Sequence, residues 1–284
     1  MAHEEGIDMR TFQVDLEGGA SVKVEGAGDQ GPHLLMLHAG VADRHMWDRQ
    51  WQWLQHAYRV VRWDWRGFGD TAHVPGSFSY ADDMITIMDH LSIPSAIVMG
   101  SSFAGATALQ VAIEHPTRVD RLVLVGSGIP GYEASNPPEV DELFREADQA
   151  LDRGDTKKFL DLMEQLWLVG PARQVSDVEP PYLSRARELL MQIDRPDNGS
   201  RSRGTHGSIL DALPKLTVPS LVVVGDQDVP DTVSAAHYLA QTLPNARLET
   251  IEGAAHLPNL ERPRYFDAIL SEWLAATGSP TVPS

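Results

Sequence analysis

The fold is decided by one ten-residue stretch, Ala96-Ile97-Val98-Met99-Gly100-Ser101-Ser102-Phe103-Ala104-Gly105. Its first four residues are apolar without polar alternation, which is typical of a parallel strand buried on both faces. After the small residues the pattern turns helical and continues to His115. A serine between small residues, where a buried strand turns tightly into a helix, is the pattern of a nucleophile elbow.

The size of the neighbouring residues selects Ser102 within this turn. The backbone of an elbow is so tight that the positions two before and two after the serine must be small. For Ser102 these positions hold Gly100 and Ala104, whereas for Ser101 they hold Met99 and Phe103. Ser102 is therefore the candidate nucleophile. Taken alone, the turn also fits a serine that caps the helix N-terminus, so its partners must decide.

Candidate partners follow two later strand patterns. Residues 221–224 end in Gly225-Asp226-Gln227-Asp228, and residues 248–251 are followed by Glu252-Gly253-Ala254-Ala255-His256. Both groups come at strand ends, where ligands bind in open α/β sheets. The order serine, acid, histidine is that of elbow-type hydrolytic triads. We predict His256 as the base. Asp228 and Asp226 are both candidate acids at this point, and an aspartate just after a strand also commonly serves the turn.

Strand and helix patterns alternate along most of the chain, which predicts a mostly parallel sheet wrapped by helices. An antiparallel hairpin at 11–16 and 20–24 opens it. The other strand patterns are at 34–37, 58–63, 96–99, 122–125, 221–224 and 248–251. Helical patterns lie at 47–56, 80–91, 103–115, 139–153, 156–168, 181–193, 232–242 and 264–276.

One interval interrupts the alternation, because residues 130–208 contain no good strand pattern and several acidic helical ones. We predict a hydrolytic core at 1–130 and 209–277, with a helical cap inserted at 131–208. The tail, 278–284, has one apolar residue, Val282, and is predicted to be disordered. The cap arginines Arg145, Arg185 and Arg187 are interpreted as solvated surface charges.

Composition narrows the function classes. The 284 residues include no cysteine, which excludes a thiolate nucleophile and cysteine-built metal sites. A net charge of −17 disfavours nucleic acid and anionic membrane partners. Residues 1–10 do not resemble a signal peptide, and no stretch approaches a membrane span. We expect a cytoplasmic protein, monomeric or homodimeric, that acts on a small molecule without metal or other cofactor.

These motifs together resemble the α/β-hydrolase family over nearly the whole chain. They are Leu37-His38-Ala39-Gly40, Asp64-Trp65-Arg66-Gly67-Phe68-Gly69, the elbow, Gly225-Asp226-Gln227-Asp228 and Gly253-Ala254-Ala255-His256. The resemblance implies an eight-stranded, mostly parallel sheet with an inserted helical cap. It also implies that Ser102 is the nucleophile, Asp228 the acid and His256 the base.

The resemblance further implies an oxyanion hole made by the backbone N–H groups of Phe103 and Gly40. The family usually has His-Gly where this chain has His38-Ala39, a change that keeps the backbone donors but restricts the loop. His38 itself is interpreted as a side chain that holds the loop through a hydrogen bond; the alternatives are a second base or a part of the substrate pocket. Trp167, Leu168 and Leu257 are the other candidate pocket residues.

A serine nucleophile predicts an acyl-enzyme, so we expect hydrolysis of a small carboxylic ester or lactone. Hydrolysis of a carbon–carbon bond in a ring-cleavage product is the alternative enzyme activity. Relatives with that activity usually carry a tryptophan soon after the histidine, where this chain has Leu257-Pro258-Asn259. A ligand receptor with slow turnover is the alternative from a different class.

Overall fold

The computed structural model of the chain describes residues 9–192, 200–202 and 208–278. The strands are β1 (Arg10–Asp15), β2 (Ser21–Ala27), β3 (His33–Leu37), β4 (Arg59–Trp63), β5 (Gly76–Phe78), β6 (Ala96–Ser101), β7 (Val119–Val125), β8 (Ser200–Ser202), β9 (Ser220–Gly225) and β10 (Ala246–Ile251). The α-helices are α1 (Asp48–Leu54), α2 (Tyr80–His90), α3 (Phe103–Glu114), α4 (Pro138–Asp152), α5 (Thr156–Met163), α6 (Pro180–Leu190), α7 (Ile209–Ala212), α8 (Pro230–Thr242), α9 (Pro258–Glu261) and α10 (Pro263–Ala276).

Eight strands form one mixed sheet in the spatial order β1-β2-β4-β3-β6-β7-β9-β10. The pairs β1–β2 and β2–β4 are antiparallel, and every later pair in the sheet is parallel. The predicted eight-stranded, mostly parallel sheet is confirmed.

The central strands β6 and β9 consist mainly of apolar residues because helices cover both faces of the sheet. All six residues of β6 and all six of β9 are buried. Successive side chains of a strand point to opposite faces. In β6, Ile97 and Met99 accordingly pack into one apolar cluster, while Ala96 and Val98 pack into the other.

The interval between β7 and β9 contains the helices α4, α5 and α6, as the acidic helical patterns predict. The expectation that 130–208 holds no strand is wrong at one place. Strand β8 pairs in parallel with β5, a second short strand that the sequence patterns missed. Three-residue strands are too short to show a periodicity. The division into core and cap stays a prediction, and residues 279–284 of the predicted tail lie outside the described residues.

The predicted helix at 156–168 divides into two different helices. Helix α5 ends at Met163, and a π-helix, Glu164–Val169, continues to Gly170. Gly170 has φ +94°, which ends the helical backbone. The predicted helix at 47–56 is likewise a 3₁₀ turn, Arg44–Trp47, followed by α1. Among the described residues, no helix is both long enough and apolar enough to span a bilayer.

Candidate active site

Ser102 occupies a strained backbone position between β6 and α3. Its φ and ψ are +59° and −125°, a region that residues other than glycine seldom adopt. A Cβ at Gly100 would lie 2.6 Å from the carbonyl oxygen of Ala104, so this position requires glycine. Within the described chain, the Ser102 side chain makes no capping hydrogen bond to α3. The turn thus presents a serine hydroxyl that the helix does not use.

Asp228 and His256 form a buried pair. The Nδ1 of His256 lies 2.8 Å from Oδ2 and 3.0 Å from Oδ1 of Asp228, and the two side chains are 2% and 0% exposed. Asp228 Oδ1 also accepts from the Val229 N–H at 2.7 Å, which fixes the carboxylate. When Nδ1–H donates to the carboxylate, Nε2 is left as a proton acceptor.

Asp226 has a different partner from Asp228. Its Oδ1 accepts a hydrogen bond from the Gly253 N–H at 2.7 Å. The side chain thereby joins the turn after β9 to the loop that carries His256. Its contact fits the role in the turn that the sequence suggested.

The end of β7 brings the serine and the acid–base pair to one edge of the sheet. The carbonyl oxygen of Val125 accepts from the Ser102 N–H at 2.8 Å. At the next residue, Gly126, a Cβ would lie 3.1 Å from His256 Nδ1 and 3.2 Å from Asp228 Oδ2. The sequence analysis missed Gly126, although a glycine directly after a buried strand is a signal for a close approach.

The loop after β3 lies against the residue that follows the serine. A Cβ at Gly40 would lie 3.4 Å from Cδ1 of Phe103. Phe103 is the first residue of α3, where backbone N–H groups are not used by the helix itself. The two residues predicted to supply oxyanion donors are therefore neighbours in space.

His38 is fully buried between two loops. Its Nε2 accepts from the Trp65 N–H at 3.0 Å, and its Nδ1 lies 2.9 Å from the carbonyl oxygen of Ala39. Burial lowers the pKa of His38 and outweighs the opposite effect of Asp64, so the imidazole is neutral at neutral pH. These contacts match the interpretation of His38 as a loop-holding side chain.

A buried network of charged side chains also holds the loop after β3. Arg44 donates to Glu25 at 3.0 Å and pairs with Asp64, and Arg62 donates to Glu25 at 2.9 Å. Burial by itself raises the pKa of Glu25, but the guanidinium groups of Arg62 and Arg44 outweigh it and lower the pKa. Asp64 thus serves the loop after β3. Arg66 instead pairs with Asp83, with both hydrogen bonds at 2.7 Å.

The candidate pocket residues differ in the groups that they contact. The Trp167 ring lies 4.3 Å from the His256 ring, centroid to centroid, and its carbonyl oxygen accepts from the His256 N–H at 3.2 Å. Leu168 and Leu257 are fully buried in an apolar cluster. The ring of Phe103 packs among aromatic side chains that the sequence analysis did not assign: Trp65, Phe68 and Tyr80.

The cap arginines named from the sequence are surface residues. Arg145, Arg185 and Arg187 have side chains that are 60%, 41% and 46% exposed, and each pairs with a neighbouring carboxylate. Arg173, which the sequence analysis overlooked, is 10% exposed and pairs with Glu261. Within the described ranges, no group of three or more His, Asp or Glu side chains is arranged to hold a metal ion.

Comparisons with known proteins agree with this architecture. Residues 32–263 match a family model described as alpha/beta hydrolase fold. The chain is 26% identical over 250 residues to 3-oxoadipate enol-lactonase 2 of Acinetobacter baylyi, covering 83% of this chain and 86% of that one. It is 29% identical over 231 residues to 2-hydroxymuconate semialdehyde hydrolase of Pseudomonas putida, covering 76% and 77%. The structure of a thermophilic esterase from Thermogutta terrifontis superposes with a TM-score of 0.72 at 23% identity, covering 94% and 98%.

Proposed function

Since the chain belongs to the α/β-hydrolase fold family, we propose that it is a serine hydrolase that cleaves a small carboxylic ester or lactone. One observation carries the proposal. A strained serine whose hydroxyl does not cap the following helix sits at the same strand edge as a buried histidine whose Nδ1 lies 2.8 Å from a carboxylate. Those are the residue types and surroundings that acyl transfer through serine requires.

In the proposed reaction, His256 Nε2 takes the proton of the Ser102 hydroxyl as the serine oxygen bonds to the substrate carbonyl carbon. The negative oxygen of the tetrahedral intermediate accepts from the backbone N–H groups of Phe103 and Gly40. The bond to the leaving oxygen then breaks, and His256 gives that oxygen the proton. Water, deprotonated by the same Nε2, attacks the acyl carbon; the bond to the Ser102 oxygen then breaks, His256 returns the proton to that oxygen, and the carboxylic acid is released. Asp228 orients His256 and stabilises its charged form.

The charge and burial of the site support this assignment of roles. Asp228 accepts from both the His256 ring and the Val229 N–H, so the carboxylate holds the imidazole in one orientation. His38 is buried with both ring nitrogens engaged and is a poor second base. Its role in the proposal is to fix the loop that carries Gly40.

The relatives suggest the bond that is cleaved. Two enol-lactonases of Acinetobacter baylyi are 26% and 24% identical to the chain, and a methyl ester esterase of Vibrio campbellii is 26% identical. Two relatives are named 2-hydroxy-6-oxononadienedioate/2-hydroxy-6-oxononatrienedioate hydrolase, at 24% identity, and 2-hydroxymuconate semialdehyde hydrolase, at 29% identity. Hydrolysis of a carbon–carbon bond in a ring-cleavage product is therefore the second candidate.

The test compares two adjacent serines. Ser102→Ala is expected to lower kcat on short p-nitrophenyl esters and on simple lactones by about 10⁴-fold or more. Ser101→Ala is the matched control, because the neighbouring hydroxyl is buried, and it should leave kcat within about threefold. Ester turnover that survives Ser102→Ala would remove the proposal.

A substrate panel separates the remaining candidates. If a vinylogous diketone acid loses its colour faster than any ester or lactone is hydrolysed, the carbon–carbon hydrolase is favoured. A single burst of product without steady-state turnover on every substrate would favour the ligand receptor.

A further inference from the structure

The loop that carries His256 is contacted from the cap by one buried ion pair. Arg173 lies in the turn after the π-helix Glu164–Val169. Its guanidinium donates to Glu261 Oε1 at 2.8 Å and to Oε2 at 3.2 Å, a two-pronged contact. The arginine side chain is 10% exposed and the glutamate side chain 0%. The two residues are 88 positions apart in sequence.

The other hydrogen bonds of this pair go to the backbone just before His256. Glu261 Oε2 accepts from the Ala255 N–H at 2.7 Å. The Arg173 guanidinium also donates to the carbonyl oxygen of Gly253 at 3.0 Å. The pair therefore binds two of the three residues that precede the imidazole.

The same guanidinium is anchored to the cap. Its Nε donates to the carbonyl oxygen of Val169, the last residue of the π-helix, at 2.6 Å. Within that π-helix, the Trp167 carbonyl oxygen accepts from the His256 N–H. π-Helices are rare and are frequent at functional sites. The wide turn here places a cap carbonyl oxygen on the backbone of His256.

The cap segment also touches the loop of the acid. A Cβ at Gly170 would lie 2.3 Å from the carbonyl oxygen of Gln227, the residue before Asp228. The cap backbone is thus in contact with both loops that form the acid–base pair.

Stability alone is a weak reason for such a pair, since a buried ion pair often contributes no more than apolar residues of the same volume. We propose that Arg173 and Glu261 are positioning residues that hold the His256 loop from the cap, so that the imidazole stays aligned with Asp228 and Ser102. This inference rests on the proposed function. It makes the reactive geometry dependent on the docked position of one cap segment.

Arg173→Met tests the inference most directly. A displacement of about 1 Å in a catalytic group lowers turnover about 10²-fold, so we expect kcat to fall by roughly that factor while KM stays within about threefold. The Nδ1 proton of His256, which donates to Asp228, is expected to give a far-downfield NMR signal in the wild type, and that signal should shift or broaden in Arg173→Met. Arg173→Lys keeps the charge and should recover part of kcat.

Arg187→Met is the matched control. Arg187 makes the same two-pronged contact to Glu164, at 2.5 and 2.6 Å, but within the cap and away from the His256 loop. It should leave kcat and the NMR signal unchanged. Should Arg173→Met fail to fold, Glu261→Gln serves instead, because the amide oxygen can still accept from Ala255 while the charge pair is lost.

An unchanged kcat with an unchanged NMR signal in a folded Arg173→Met or Glu261→Gln protein overturns the inference. A rise in KM alone overturns it too, because that result makes Arg173 a substrate contact. The NMR signal requires no turnover. If Ser102→Ala retains activity, the proposed function fails, while the signal still decides whether the pair positions His256.

Discussion

The candidate nucleophile, Ser102, and the candidate base, His256, are held in place by opposite means. Ser102 is fixed by backbone sterics among consecutive residues, with Gly100 too close to Ala104 to allow a side chain. The imidazole of His256 is held by the side chain of Asp228, 28 positions away, and the backbone just before it is bound by Glu261, which pairs with Arg173. The elbow is therefore a local structure, whereas the base depends on tertiary contacts, and the two should respond differently to substitution.

The largest expected effect is on the base. Asp228→Asn should lower kcat by about 10⁴-fold with a small change in KM, because the amide favours the wrong tautomer of His256. Steady-state kinetics on the best ester or lactone measure it. Asp226→Asn is the control and should cost less than about threefold, since an amide oxygen still accepts from Gly253. Equal losses in the two variants would remove the assignment of Asp228 as the acid.

Gly126 lies next to Val125, which binds the Ser102 N–H, and against the His256–Asp228 pair. A methyl group added at Gly126 therefore tests how closely the elbow and the acid–base pair are packed together. In Gly126→Ala the new Cβ would press on His256 and Asp228 at 3.1–3.2 Å, at a residue whose φ is +52°. We expect kcat to fall about 10²-fold and thermal stability to drop. Gly128→Ala is the matched control, because its Cβ would meet no atom of the described chain within 4 Å. Equal kcat values for the two variants would mean that a side chain at Gly126 does not disturb His256 and Asp228, contrary to the prediction.

The strain at Ser102 can be measured on the elbow alone. Ser102→Gly should abolish turnover yet raise stability by about 1 kcal/mol, or a few degrees in Tm, because glycine tolerates this backbone. Ser102→Ala keeps the Cβ and should melt at the wild-type temperature. Calorimetry of the two inactive variants compares them. A Tm for Ser102→Gly at or below that of Ser102→Ala would mean that the elbow holds no strain to release.

The smallest effect concerns the loop beside the elbow. Burial lowers the pKa of His38, so the unfolded chain takes up this proton near the ordinary pKa of 6.5 while the folded chain does not. The stability that neutral His38 contributes is present above pH 6.5 and is lost as the pH falls below it. The stability difference between wild type and His38→Gln should therefore shrink as the pH falls from 7 to 5.5, which denaturant unfolding at the two pH values measures.

His45 provides a control of opposite sign. Its hydrogen bond with Asp43 raises the pKa of His45, although burial opposes this. The stability that this pair contributes is present below pH 6.5 and is lost as the pH rises through the folded-state pKa. The difference between wild type and His45→Gln should widen as the pH falls. Parallel trends in the two variants would mean that another group controls the pH dependence.

The sequence was sufficient for features that depend on neighbours along the chain. The elbow at Ser102 and the strands around it follow from residue size and apolar pattern, and the sheet is confirmed. Short elements escaped the analysis, because strands β5 and β8 have three residues each and show no period. The π-helix also escaped it, since its residues read as a continuation of α5.

Arg173 shows most clearly what a sequence leaves undecided. Nothing in its sequence surroundings distinguishes Arg173 from Arg145 and Arg187, which are surface residues. Only the packing of the π-helix against the His256 loop buries Arg173 beside Glu261. The chain by itself determined an α/β sheet, a candidate serine, and an acid and a histidine in the expected order, because each of these is written in local pattern and spacing. Tertiary structure alone decided which arginine reaches the His256 loop, because that contact joins residues 88 positions apart in sequence.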